Sequence, residues 1–352
     1  TLGTDEGYLK LATLEGAIFA VFATADSARA YRLDIDPEAL EEEVAALRAI
    51  IAYVEGGQTL TFPFDIERSR ALYRSLFDPV DDQLASLRHL VFEPDGAMLR
   101  LPANLLVRDD DSVDRYIERI TQGGDEYDFT GTNWLGRAVR ISTAVSPSAF
   151  RDARNAPRSS AQHEYIGFGE NTPLTEARGT TGTRSALAGG ADCLWAPSIW
   201  DYPIRADELY TAARSLGAAG AEERILTGDR FTDTAVSAMK DLDEYRILHF
   251  ATHGLVTAPQ PECPPRPALL TSFGDAQSDG LLSFAEIFDL EIDADLVILS
   301  ACDTAGAATL GASLEAGVAG GGFALDGLVR AFVGAGGRTV IASHWPVPDD
   351  YD

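Results

Sequence analysis

The feature that most constrains this chain is an alternation. Short apolar runs of strand length recur, and segments with helical spacing separate them. The runs are His89–Phe92, Val139–Val145, Tyr165–Gly169, Tyr245–Ala251, Leu296–Ser300 and Arg338–Ser343. Helices fit between the later runs over Asp207–Leu216, Thr232–Lys240, Ser283–Leu290 and Gly322–Val333. Strands that alternate with helices are parallel strands joined by right-handed crossovers. The pattern therefore predicts an α/β fold, a mainly parallel β-sheet with helices on both faces.

The N-terminal segment reads differently. Ala17–Ala23 and Ala28–Leu33 flank Thr24-Ala25-Asp26-Ser27 and predict a hairpin. Asp36-Pro37 opens a helix, with an N-cap and a proline at the first helical position. Its apolar residues Leu40, Val44, Leu47, Ile51 and Val54 carry it to Gly56-Gly57, and a second helix is expected from Asp65 to Phe77. We expect residues 1–83 to form an N-terminal hairpin-helix arm packed on a larger domain over residues 84–352. Three stretches read as loops: Arg108–Asn133, rich in Asp and Gly; the long irregular Asn171–Pro203; and Pro259–Pro267, with five prolines in nine residues.

Composition narrows the function classes. The 352 residues hold 55 acidic and 28 basic side chains, for a formal charge of −27. So anionic a surface keeps a protein soluble and repels phosphate backbones and anionic lipid. Direct nucleic-acid binding and membrane docking are therefore not expected, and basic proteins or peptides are the natural partners. The three cysteines, Cys193, Cys263 and Cys302, are too few and too widely spaced for a disulfide framework or a metal-ligand pair, which points to a reducing, cytoplasmic setting. Ala17–Ala25, the longest uncharged apolar run, is too short to span a bilayer. The chain opens on Thr rather than Met and ends shortly after its last apolar run, so a piece of a longer protein is expected.

Two reactive residues fall where open α/β sheets gather their chemistry, beyond the carboxyl ends of the strands. His253 follows the run ending at Ala251, and Cys302 follows the run ending at Ser300. One crossover between those runs makes the strands neighbours and brings both side chains to one sheet edge. A thiol beside an imidazole is a nucleophile with its base. A His some 50 residues ahead of the Cys is the caspase spacing. Gly254 lets the backbone approach a substrate carbonyl, and its N–H with that of Cys302 would form an oxyanion hole.

The residues around this pair resemble the CHAT family, caspase-like peptidases related to separase. Arg246-Ile247-Leu248-His249-Phe250-Ala251-Thr252-His253-Gly254 is similar to the family's His motif, and Leu296–Thr304 to its Cys motif. Asp279-Gly280-Leu281-Leu282-Ser283, Gly327–Gly337 and Val340–Val347 follow in the family's order, and Pro94-Asp95-Gly96 with Leu101-Pro102 precede them. The resemblance covers about residues 84–352. It implies a caspase–haemoglobinase-like fold with His253 and Cys302 as a catalytic dyad acting without a cofactor. The position after Trp345, often Asp in the family, is Pro346 here.

The resemblance implies a cysteine endopeptidase that cuts a partner protein at limited sites through a thioester acyl-enzyme. Family members are often joined to tetratricopeptide repeats, so a repeat domain or another regulatory partner is expected to control it. A catalytically unused caspase-like scaffold that binds proteins is the alternative, and acyl transfer to something other than a peptide would use the same residues. Asp303, beside the nucleophile, and Asp349, after Trp345, are candidates for receiving a basic substrate side chain. His249, inside its strand, reads as a core histidine, and His344 as a residue of the strand's end. Gly320-Gly321-Gly322 lacks the Lys-Ser/Thr of a phosphate loop. No metal-ligand spacing is apparent, and Asp109-Asp110-Asp111 alone is too little for calcium.

Overall fold

The computed structural model describes residues 2–50, 53–55, 58–175, 195, 197–217, 220–255, 267–301 and 327–343. They fall into two compact units that divide between Arg154 and Asn155.

The first unit holds β1 (Glu6–Leu14), β2 (Ala17–Ala23), β3 (Ala28–Arg32), α1 (Pro37–Ala49), β4 (Tyr53–Glu55) and β5 (Gln58–Leu60). It continues with α2 (Ile66–Phe77), α3 (Asp81–Leu84), β6 (His89–Glu93), α4 (Asp110–Thr121), α5 (Leu135–Ala138) and β7 (Arg140–Thr143), and α6 (Pro147–Asn155) crosses the division. One sheet runs in the order β3-β2-β1-β6-β7. The three N-terminal strands are antiparallel, β6 pairs in parallel with β1, and β7 pairs in parallel with β6. The N-terminal hairpin thus shares its sheet with strands on the far side of residue 84, and β6 and β7 do not join the later parallel strands. Period-2 alternation puts Ile18, Ala20 and Phe22 on one face of β2, where they are buried with Leu40, Val44 and Leu47 of α1 and Leu72, Leu76 and Phe77 of α2.

The local signals explain where elements begin. The Asp36 carboxylate accepts from the Ala39 N–H at 2.8 Å, with Pro37 at the start of α1. Asp65 caps α2 in the same way, accepting from Arg68 N–H at 2.9 Å. Two expectations need correction. The first helix ends at Ala49, and Val54 belongs to β4, which pairs antiparallel with β5. Its apolar spacing continues by coincidence into a strand, and the Gly56-Gly57 pair sits between two strands. Arg108–Asn133 is not one loop, because α4 occupies Asp110–Thr121. The acidic run is a helix start: Asp109 accepts from Ser112 N–H at 2.8 Å, and Asp110 and Asp111 lie in the first turn. Val113, Tyr116, Ile117 and Ile120 then pack with Ile66, Val107 and Trp134.

β1 was not read from the sequence, and it carries the unit's polar anchor. Glu6 is buried and takes both Arg154 guanidinium N–H groups at 2.5 Å, the Gly3 N–H at 2.7 Å and a His89 contact at 3.1 Å. The Arg154 pair holds its carboxyl well below the usual carboxylate range.

The second unit holds β8 (His163–Gly169), α7 (Asp207–Leu216), β9 (Ile225–Leu226), α8 (Asp233–Ala238), β10 (Tyr245–Ala251) and β11 (Gly254–Leu255). There follow β12 (Ala268–Leu270), β13 (Leu281–Ser283), α9 (Phe284–Phe288), β14 (Leu296–Ser300), α10 (Leu328–Ala335) and β15 (Val340–Ala342). Its main sheet is parallel throughout, in the order β15-β14-β10-β8-β9. A small antiparallel sheet, β11-β12-β13, stands beside it. Both faces of the parallel sheet are covered. Phe168, Leu248, Phe250, Val297 and Leu299 pack on one side with Ile287 of α9 and Phe332 of α10. Tyr165, Ile247 and Ala251 pack on the other with Leu209 and Ala213 of α7. The chain leaves β8 in one direction to β9 and returns on its other side to β10. That reversal is a topological switch point, where crevices open at the strands' carboxyl ends.

Close approach decides one glycine. A Cβ on Gly169 would lie 2.4 Å from the Ala251 carbonyl oxygen, a backbone atom of the neighbouring strand. Gly169→Ala is therefore expected to cost ~2 kcal/mol, read as a lower urea midpoint at an unchanged denaturant slope. Glu6 supplies a second prediction. A lowered folded value means stability that is fully present above the ordinary value of 4.5 and lost as pH falls through the folded value. Glu6→Gln should flatten this acid limb in urea titrations between pH 5 and pH 2, whereas an unaltered limb would deny Glu6 that role.

Candidate active site

The site grows out of the β10–β14 pair. These strands are adjacent and parallel, with Ala251 opposite Ser300. His253 lies two residues beyond that rung on one strand, and Cys302 two residues beyond it on the other. Cys302, Asp303 and Asp349 lie outside the described residues, as do His344, Cys193 and Cys263. His253 and Gly254 are described, and their surroundings are specific.

The backbone at His253 is held from several directions. The Thr252 N–H donates to the Ser300 carbonyl at 3.3 Å, and the buried Thr252 hydroxyl donates to the Leu270 carbonyl at 2.6 Å. The Leu270 N–H donates to the His253 carbonyl at 2.9 Å. That bond makes Gly254 opposite Leu269 a non-hydrogen-bonded antiparallel pair. In that kind of pair the N–H points away from the partner strand. The Gly254 N–H is thus turned off β12, on the side of β11 that has no strand partner among the described residues.

The His253 ring is half-buried, and its Nε2 donates to the Tyr202 carbonyl at 2.6 Å. A carbonyl only accepts, so this contact puts the proton on Nε2 and leaves Nδ1 as the basic nitrogen. The carbonyl is itself well supported. The turn Pro197–Asp201 before it carries the buried Trp200, whose Nε1 donates to the Thr271 carbonyl at 3.1 Å. The Asn171 side chain, just past β8, donates to the Trp200 carbonyl at 2.9 Å. Leu270 and Thr271 of one short segment thus steady both the imidazole's backbone and the group that orients the ring.

A second polar cluster lies along the sheet face covered by α7. His249 is buried on β10 and points, by strand parity, to the side of Ala251. Its Nδ1 lies 3.1 Å from the Tyr165 hydroxyl, and its Nε2 3.1 Å from Glu208 Oε1. The Ser300 hydroxyl donates to Glu208 Oε2 at 2.7 Å. His249 lowers the Glu208 carboxyl below its ordinary value against an opposing effect of burial. Burial, with the Glu208 charge nearby, pushes the Tyr165 phenol up, so it stays protonated. His249 is thus a satisfied core histidine, as its place inside the strand implied.

Sequence reasoning missed Tyr202, Tyr165 and Glu208. A backbone carbonyl leaves no signature in residue type. Glu208 stands in the first turn of a helix, where an acid is ordinary, and nothing in the sequence ties it to a strand 41 residues away. Among the described residues no group of three or more His, Cys, Asp or Glu could hold a metal ion, and no helix is long and apolar enough to cross a membrane.

A parallel sheet covered by helices on both faces, with a histidine and a glycine just past the end of β10 beside a topological switch point, defines an α/β protein. Comparison with known families matches residues 67–351 to the CHAT domain, and the chain belongs to that family. The family is broadly related to caspase-like cysteine peptidases, so the scaffold is of the caspase-like peptidase type. No curated protein matched the chain.

The ring orientation has a direct spectroscopic consequence. The ¹⁵N shifts of neutral His253 should report the Nε2–H tautomer; a predominant Nδ1–H signal would contradict the role of the Tyr202 carbonyl.

Proposed function

We propose that this chain is a cysteine endopeptidase with a caspase–haemoglobinase-like catalytic domain, in which Cys302 is the nucleophile and His253 the general base and acid. The observation that carries this reading is the His253–Tyr202 contact: a ring whose Nε2 donates to that carbonyl has Nδ1 as its proton-accepting nitrogen, at the sheet's carboxyl edge. Nδ1 would take the thiol proton, and the thiolate would add to the scissile carbonyl carbon. The oxyanion would be met by the N–H groups of Gly254 and Cys302, and the unpaired direction of the Gly254 N–H supports this assignment. The imidazolium then protonates the leaving amine as the C–N bond breaks, leaving a thioester on Cys302. Water, deprotonated by the same Nδ1, attacks the thioester, and the thiol is released with the acid product.

The formal charge of −27 favours a cationic substrate segment, and Asp303 and Asp349 are the acids proposed to receive its basic side chain. A tetratricopeptide-repeat or other regulatory partner fits this reading as the source of control, and a cytoplasmic location fits the sparse cysteines.

Incubation with a peptide library rich in Arg and Lys tests it. Cleavage is expected from the parent, with a loss of at least about 1000-fold in Cys302→Ala and His253→Ala. Variants that cut as fast as the parent would remove the dyad. Selective capture of Cys302 over Cys193 and Cys263 by a thiol-reactive peptidyl probe is expected as well, and equal capture of all three would favour a catalytically unused scaffold.

A further inference from the structure

The cluster around His249 joins three side chains from a strand, its neighbour and a helix. The Tyr165 hydroxyl carries one proton and touches two groups, the Leu209 carbonyl at 3.2 Å and His249 Nδ1 at 3.1 Å. On the other side of the ring, Nε2 donates to the ionised Glu208 carboxylate at 3.1 Å. The His249 ring, 2% exposed, thus meets a hydroxyl on one side and a carboxylate on the other. That carboxylate is shared: its second oxygen takes the Ser300 hydroxyl.

We propose that Glu208 is a positioning residue for the peptidase reaction, a two-pronged clamp that ties Ser300 at the end of β14 to the buried His249 of β10. The clamp grips the last rung of the pair, Ala251 opposite Ser300, from which the chain runs on to His253 and Cys302. Backbone pairing at that rung is supplemented on one side by the Thr252 N–H to the Ser300 carbonyl and on the other by the side-chain clamp. Without it, Ser300 keeps its backbone pairing and loses its lateral tether to α7, and His249 Nε2 loses its acceptor. An attacking group displaced by as little as 1 Å loses on the order of 100-fold in rate. The proposal rests on the dyad reading, since a positioning residue needs a reaction to serve.

The test uses the 352-residue chain and iodoacetamide, with alkylation of each cysteine followed by peptide mass spectrometry from pH 5 to pH 9. In the parent, Cys302 is expected to react faster than Cys193 and Cys263, with a low-pH shoulder that His253→Ala abolishes. Glu208→Gln and Ser300→Ala should each slow Cys302 about 10-fold near neutrality and move its profile to higher pH, with the other two cysteines unchanged. Ser300→Thr, which keeps the hydroxyl, should restore the parent profile. Because Ser300→Ala leaves the Glu208–His249 pair intact, it keeps the test open if Glu208→Gln does not fold. A parent profile in Ser300→Ala, or a loss in Ser300→Thr equal to that in Ser300→Ala, would overturn the clamp. A parent whose Cys302 reacts no faster than the other cysteines, and ignores His253→Ala, would overturn the dyad itself and the clamp with it.

Discussion

The parallel pairing of β10 with β14 is the constraint on which the rest of the second unit depends. Five successive rungs, from Ile247 opposite Leu296 to Ala251 opposite Ser300, set the register of the two strands. A slip of one residue would exchange the faces of either strand and carry its apolar side chains into the wrong layer. Leu248 and Phe250 alternate with Ile247 and Ala251, and each set meets its own helices, α9 and α10 on one side and α7 on the other. The register is therefore held by packing on both faces. Phe250 illustrates this, lying between Phe168 at 4.8 Å and Phe332 at 5.1 Å.

Into one of those apolar layers the chain inserts a polar ring. A buried imidazole in a medium of low polarity is costly unless its ring nitrogens are hydrogen-bonded. Tyr165 and Glu208 answer them, one from the neighbouring strand and one from the first turn of α7. The Glu208–His249 contact thus ties helix to sheet at the edge where the functional residues leave it. His253 is held by a different device, a backbone carbonyl on a turn anchored by a buried tryptophan. Two histidines four residues apart are in this way held differently. His249 has both nitrogens engaged by side chains, and His253 has Nε2 engaged by the Tyr202 carbonyl.

Much of the second unit was legible in advance because its strands are buried on both faces and its helices announce their ends. Tyr245–Ala251 and Leu296–Ser300 stand as read, and Ser283 and Thr232 cap their helices through side-chain hydrogen bonds. The first unit was less legible. Glu6–Leu14 contains a glycine and a lysine among its apolar residues, and its turn to β2 passes through Glu15 and Gly16 at positive φ, with glutamate an unusual choice there. The Asp run at 109–111 looked like loop chemistry and proved to be a cap and first turn, because the same residue type favours both.

The amino-acid order by itself determined the alternation of strands and helices, the parallel α/β class of the second unit, the caps, and the placement of His253 and Cys302 just past two apolar strands. These are local matters, written in periodicity and in residues whose conformational preferences act within a turn or two. Only the tertiary structure decided that β6 and β7 join the sheet of the N-terminal strands and that β10 lies between β8 and β14. It alone brought Glu208 to His249 and Ser300, and the Tyr202 carbonyl to the His253 ring. Those partners are set by which surfaces pack together across tens of residues, and a carboxylate or a peptide carbonyl has the same local signature wherever the fold carries it.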